Sequence, residues 1–180
     1  MNSKYRSQLH RVVWVIALLP CVAASLGFAA QNPQRSPCTT SEHRQFDFWA
    51  GDWDAFDVDN PAEKVARVHV DLILDGCVLR ESYEGADGHQ GQSFSMYDSS
   101  RNIWHQSWVT NRGELLIVEG HGRAGEMVLS GTEQTTNGPK MVRGTWKEVN
   151  EGVRETAVTS VDGGKSWKPW FDLLFRRHKP

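Results

Sequence analysis

The sequence predicts an all-β fold, an antiparallel up-and-down meander of about ten strands closed into a barrel, with a short N-terminal helical turn. Three observations carry this reading. From Asp52 onward apolar and polar residues alternate with period two. Turn-forming residues punctuate that pattern at short intervals, so most links span two to five residues. The only helical candidate, "SEHRQFDFWAG", lies ahead of the first strand.

The helical candidate comes first in chain order. Ser41 is placed to cap a short turn, Gly51 to end it, and Phe46, Phe48 and Trp49 to plug one barrel end. Strands follow near 52–58, 64–75, 77–84, 92–98, 102–110, 114–120, 126–133, 140–148, 152–160 and 165–176. The links between them include "DNPAE", "GADGHQG", "DSSRN", "TNRGE", "TTNGP" and "VDGG". These supply residues that tolerate positive φ, or a proline with fixed φ. Links this short join neighbouring antiparallel strands. Closure then removes the exposed edges that a long meander would otherwise carry. The alternative is a two-sheet sandwich, whose Greek-key crossovers need longer connections than these.

The chain ahead of the barrel reads as a secretory leader followed by a tail. Lys4, Arg6 and Arg11 precede the apolar run "VVWVIALLPCVAASLGFAA", and Gly27, Ala29 and Ala30 supply the small residues of a cleavage site. That pattern predicts a signal peptide over 1–30, cleaved after Ala29 or Ala30, a flexible tail over 31–40 and one barrel domain over 41–180. The alternatives are an uncleaved anchor, since a span needs about 20 apolar residues, and a lipoprotein signal around Cys21, which Pro20 argues against. The expected location is periplasmic or extracellular, with no membrane span after cleavage. The leader holds three of the 20 basic and none of the 22 acidic residues, so the mature chain keeps 17 basic against 22 acidic, a net −5. A mildly acidic domain with no basic stripe gives no reason to expect nucleic acid. Oligomeric state is not legible at this level.

Of three cysteines, Cys21 leaves with the leader, so Cys38 and Cys77 remain as a pair. In an oxidising compartment they are expected to form a disulfide. The alternative is two buried thiols, which the polar surroundings of Cys38 disfavour.

The order of motifs adds a resemblance. Gly51-Asp52-Trp53 at the start of the first strand resembles the G-x-W of lipocalins and their calycin relatives. Those relatives lay the Trp across the barrel bottom beneath an Arg from the last strand; Arg176 is the cover expected here, with Arg177 as the alternative. "FDFWAGDWD", "GCVLRESYEG", "GQSFSMYD", "WHQSWV", "RGTW" and "SVDGGKSW" follow one another over roughly residues 42–176. In that order they resemble a domain-of-unknown-function family of exported, lipocalin-like (calycin) proteins. The resemblance implies a calycin-type barrel and brings no activity, cofactor or catalytic residue with it. The last motif also fits the S-x-D-x-G-x-[ST]-W Asp box of sialidase propellers. A propeller needs several such boxes at blade-length spacing, and this chain has one. It therefore reads as a hairpin turn, with Asp162 holding the turn and Trp167 anchoring the closing strand.

Candidate ligand-binding residues come from strand alternation. Trp104, Gln106 and Trp108 share one face of "NIWHQSWVT"; Ser95 with Tyr97, Glu81 with Tyr83, and Arg143 with Thr145 share faces of other strands. Parity alone does not say which face points inward, and the bulky Trp face is the one expected to fill the lumen. Converging inward, these residues would form an aromatic cup with a few polar anchors, suited to a small apolar or amphipathic ligand. The alternative is a filled core.

Other chemistry is poorly supported. His69 and Asp71 share a strand face and His105 is a third metal candidate, but no spacing ties them together, and the first two are expected to face solvent. Haem would need an axial His. His178 lies in a tail expected to fray, and His43, His89 and His121 fall in turns or flanks. "GQSFS" lacks the second Gly of a nucleophile elbow. Glu81 and Glu155 are the one carboxylate pair considered, with nothing in the sequence to set their separation. No cofactor, metal site or catalytic residue is expected. Three function classes remain: a ligand-binding barrel, a filled barrel acting as a protein-interaction module, and a small-metabolite isomerase or hydrolase using the same cup.

Overall fold

The computed structural model describes residues 38–179. The leader, Cys21 and the tail up to residue 37 lie outside the described residues. Ten antiparallel strands follow one another around a closed ring: β1 (Gly51–Asp57), β2 (Asn60–Ile73), β3 (Val78–Gly85), β4 (Gln90–Asp98) and β5 (Ile103–Thr110), then β6 (Leu115–Arg123), β7 (Glu126–Thr135), β8 (Gly138–Val149), β9 (Gly152–Ser160) and β10 (Lys168–Arg177). Each strand pairs with the next in sequence, and β1 pairs with β10 to close the barrel. The sequence predicted all ten strands and the closure.

Three boundaries moved by three residues or more, one of them the end of β6, which runs on to Arg123 instead of stopping at residue 120. The link after β1 shrinks to Val58–Asp59, because Asp57 accepts the Asp59 backbone N–H at 2.8 Å and turns the chain within two residues. Asn60 through Glu63, expected as loop, therefore open β2, and register shifts beside Phe56 absorb the difference. Conversely, β10 starts at Lys168 because the Asp-box turn occupies the residues before it.

That turn is built as its residue types require. Asp162 accepts the Ser166 N–H at 3.0 Å, the Ser166 hydroxyl at 2.6 Å and the Ser160 hydroxyl at 2.7 Å. These donors hold its carboxyl well below the usual carboxylate range. Trp167 donates its indole N–H to the Gly164 carbonyl at 3.2 Å and lies beneath the Arg143 guanidinium, 4.3 Å from its ring.

One barrel end is sealed by aromatic packing. Two 3-10 turns, Glu42–Arg44 and Asp47–Trp49, carry Phe46 and Trp49 into the core. Ser41 does not cap them. Its own backbone is helical (φ −56°, ψ −34°), and its hydroxyl donates to the Glu42 carboxylate instead. Trp49 stacks on Trp53 at 5.6 Å and meets Phe175 edge-on at 4.6 Å. Phe46 meets Trp104 and Trp146 edge-on at 5.8 and 5.5 Å. The indole N–H groups of Trp53 and Trp104 are used as well, donating to the Trp49 carbonyl and the Gln45 side-chain oxygen.

The Arg that covers Trp53 is Arg177, not Arg176. Trp53 faces Arg177 across the β1–β10 pair, and the guanidinium lies 3.8 Å from the indole centre while donating to the Ala50 carbonyl at 3.0 Å. Arg176, one residue earlier, takes the outer face, over Phe56 at 4.8 Å and paired with Glu151. Gly51 makes the cover possible, since a Cβ there would fall 1.5 Å from the Arg177 guanidinium. The tail beyond is held too: His178 donates its backbone N–H to the Asp52 carbonyl and its ring meets Asp54 at 2.9 Å, so the expected fraying does not start there.

Cys38 and Cys77 are bonded, closing a 39-residue separation beside the sealed end. Reduction, or the pair of variants Cys38→Ser and Cys77→Ser, is expected to lower unfolding stability by about 4 kcal/mol. Urea unfolding with and without reductant measures this. The far-ultraviolet spectrum should stay that of a β-barrel, because the closed hydrogen-bond ring does not depend on the bridge. Arg177→Ala should cost about 1–2 kcal/mol by loss of the stacked cation and its carbonyl bond, whereas Arg176→Ala should cost less than about 0.5 kcal/mol.

Candidate functional site

Strand alternation divides the interior into two zones. Toward the sealed end, inward positions carry Trp53, Val68, Trp104, Met127, Leu129 and Phe175, all buried and mutually packed. Toward the other end the inward side chains do not meet, and a cavity of about 670 Å³ remains. Small residues help keep it open. The Trp108 indole lies over Gly91, where a Cβ would be 2.2 Å from the ring. Gly144 and Ala157 face each other across β8 and β9 in the cavity wall.

The cavity wall is aromatic and aliphatic: Tyr83, Trp108, Leu116, Val142, Trp146 and Leu173 line it. Near the mouth Tyr83, His89 and Trp108 form a cluster with ring separations of 5.8–6.4 Å. A register shift between Pro169 and Phe171 turns Trp170 as well as Phe171 toward the mouth. Charged residues form the rim, where Arg112 pairs with Asp87 at 2.7 Å and Lys140 with Glu133 at 2.6 Å, while Lys64 reaches Asp54, outside the cavity lining, at 3.4 Å.

Two carboxyl groups lie deeper, below this rim. Glu81 on β3 is 8 % exposed. Glu155 on β9 retains accessible surface, but that surface faces the cavity it lines. Three strands separate β3 from β9 on one side of the ring and five on the other, so the two carboxyls face each other across the lumen. The Ser93 hydroxyl donates to Glu81 at 2.9 Å, while the Gln106 amide donates to Ser95 at 3.0 Å and to Ser93 at 3.4 Å. Burial pushes the Glu81 carboxyl up to about 7, against the pull of the Ser93 bond. Burial and then repulsion from Glu81 raise Glu155 well above the ordinary glutamate range. Trp146, its cross-strand neighbour, opposes that rise slightly, but its buried indole N–H makes no hydrogen bond of ordinary geometry. Tyr83 is raised too, by burial and by the charges of Asp87, Glu155 and Glu81.

The sequence-predicted residues separate into three groups. Glu81, Tyr83, Gln106 and Trp108 line the cavity. Ser95, Tyr97 and Trp104 share the inner face but not the cavity: Ser95 holds Gln106, and Tyr97 packs on Trp104 and His43 at the sealed end. Arg143 and Thr145 are on the outer face, contrary to expectation, because Val142, Gly144 and Trp146 take the inward positions of β8. Trp146, Trp170 and Phe171 are not among the cup residues expected from the sequence, and Glu155 is expected there only as a carboxylate partner for Glu81. The available signal for Glu155 was its phase, between Val153 and Ala157 on the apolar side of its strand.

The metal candidates stay apart. His69 meets Asp52 at 2.9 Å, Asp71 pairs with Arg80, and His105 lies outside with Glu119 and Ser107. Among the described residues no group of three or more metal-ligating side chains comes together. No protein-family model matches this chain, and no curated protein is significantly similar to it.

The raised carboxyls make stability depend on pH with a defined sign. Below the ordinary glutamate value of 4.5 Glu81 is protonated whether the chain is folded or not. Between 4.5 and about 7 the unfolded chain gives up a proton that the barrel keeps, so stability falls as pH rises. Glu81→Gln should remove Glu81's share of that slope and leave the share that Glu155 contributes: near parity with the parent at pH 4, and more stable at pH 8 by on the order of 3 kcal/mol. Urea midpoints across pH 4–8 read this directly, and a parent whose stability is flat from pH 5 to 7.5 would contradict it.

Proposed function

We propose that this protein is an exported barrel that binds a small, partly apolar ligand in its aromatic cup. The observation that carries the reading is the unfilled cavity of about 670 Å³ above a sealed floor. Small-molecule sites ordinarily occupy roughly 300–1,000 Å³ and combine apolar walls with a few placed polar groups. A barrel serving only as an interaction module has no need to leave its interior unfilled, and filling it would add stability. The basic and apolar leader and the Cys38–Cys77 bond support a role in the periplasm or outside the cell. Among the described residues no helix is long and apolar enough to cross a membrane. The ordered motifs that resemble the lipocalin-like, calycin family agree with this architecture and belong to the same proposal.

A second reading rests on its own observation. Glu81 faces the cavity with its carboxyl raised to about 7, which suits a general acid or base at neutral pH. In that reading the cup belongs to an isomerase or hydrolase of a small metabolite.

Native mass spectrometry of protein purified from its own host separates these outcomes. A retained small molecule is expected. Ala157→Phe, which puts a ring into the lumen at a buried inward position, should lose it while folding normally. A clean unliganded mass, with no thermal stabilisation across a metabolite panel, would count against the binding reading. Chemical conversion of the retained compound, lost in Glu81→Gln with binding kept, would move the assignment to the enzyme.

A further inference from the structure

Two carboxylates deep in an aromatic cavity are expensive to bury, and nothing in the barrel compensates both. Glu81 has one neutral donor, the Ser93 hydroxyl. Glu155 makes no hydrogen bond of ordinary geometry with Trp146 and faces the cavity. The strands around them add no charge of opposite sign. β2 and β4 flank Glu81 with Val70 and Ser93. β8 and β10 flank Glu155 with Trp146 and Leu173. β5 contributes Gln106, and the remaining titratable group at this depth is Tyr83. The four basic residues in the cavity lining, Lys64, His89, Arg112 and Lys140, all sit at the rim, and each has an acidic partner, which for Lys64 is Asp54 outside the lining. Seven carboxyl groups line the same cavity: Asp57, Glu63, Glu81, Asp87, Glu114, Glu133 and Glu155. The imbalance is negative, and it is concentrated where no protein cation reaches.

Each deep carboxyl also shares its stretch of inner surface with an indole, directly for Glu155 and across one intervening strand for Glu81. Glu81, Ser93 and Trp108 are consecutive cross-strand neighbours on β3, β4 and β5. Glu155 and Trp146 are direct neighbours on β9 and β8. A carboxylate with an aromatic face beside it is the arrangement that recognises an organic ammonium, because ring quadrupole and carboxylate both attract the cation.

We propose that the ligand of this cup is a compact organic amine. It is held as its cation between Glu81 and Glu155, with its apolar part against Trp108 and Trp146. This inference rests on the ligand-binding reading above and adds the chemical class of the ligand. The buried pair favours its protonated state while the cup is free of ligand. An arriving ammonium displaces a carboxyl proton to solvent, so binding near pH 7 releases protons. Amine affinity therefore rises between pH 5.5 and 8 as ionising the pair costs less.

Three probes with one apolar body test the class: 2-phenylethylamine as cation, 2-phenylethanol as neutral, and 3-phenylpropionate as anion. Calorimetry on the disulfide-bonded protein should rank the amine at least tenfold tighter than the alcohol, with the carboxylate weakest. Amine heats measured at pH 7 in two buffers of different ionisation enthalpy should show net proton release. Glu81→Gln and Glu155→Gln should each weaken the amine about tenfold and change the alcohol less than about threefold. Both variants keep shape while removing a buried acid, and thermal unfolding checks that they fold. The comparison of probes on the parent protein stands even where a variant fails. Alcohol or carboxylate binding as tightly as the amine would overturn the amine assignment and leave the ligand-binding barrel standing. No binding by any of the three would overturn the amine assignment, and the ligand panel tests the wider reading separately.

Discussion

The pairing of β1 with β10 is the constraint on which the rest of the structure depends. That ladder sets Trp53 opposite Arg177 and Ala55 opposite Phe175. Once the ring is closed, strand alternation assigns every residue to lumen or solvent, and a slip of one residue would exchange the two faces. The floor follows from this register. So does the depth at which Glu81 and Glu155 enter the lumen, because both are counted along strands already locked into the ring. The Asp-box turn serves the same end by delivering β10 to its neighbours in one position.

The molecule divides its aromatic residues between two tasks. At the sealed end Phe46, Trp49, Trp53, Trp104 and Phe175 interlock, and the polar tips of Trp53 and Trp104 find carbonyl or amide partners. In the open half Trp108 and Trp170 border space instead of one another, and Trp146 stands between the two zones, edge-on to Phe46 below and lining the cavity above. Dense packing at one end is what permits an unfilled, charged interior at the other. Burying two carboxyls opposes folding at neutral pH, and a site built to hold a cation is where such a cost is tolerated.

Much of this was legible in the sequence because period-two alternation and turn chemistry are local. The ten strands, the closing ladder, the Asp162 turn and the Cys38–Cys77 pair were read from residue types and spacing alone. Arg143 and Thr145 share a face by alternation alone, but Val142, Gly144 and Trp146 on the opposite face of β8 form the better inward set. Arg176 and Arg177 differ by one residue, and only the β1–β10 register separates them. Glu155 was visible as an acid standing in an apolar phase, but its meeting with Glu81 requires the ring to close. Whether the lumen is filled was not legible, since that depends on volumes summed around ten strands.

The central claim is that Glu81 and Glu155 face each other as a buried, proton-retaining pair in one cavity. Carbon-13 NMR of the side-chain carboxyls, titrated in the ligand-free protein, tests it most directly. Glu81 should titrate near 7 and Glu155 well above the ordinary glutamate range, each altering the other's curve, while Glu119 titrates below that range. Both groups titrating with the surface glutamates, below about 5, would contradict the account.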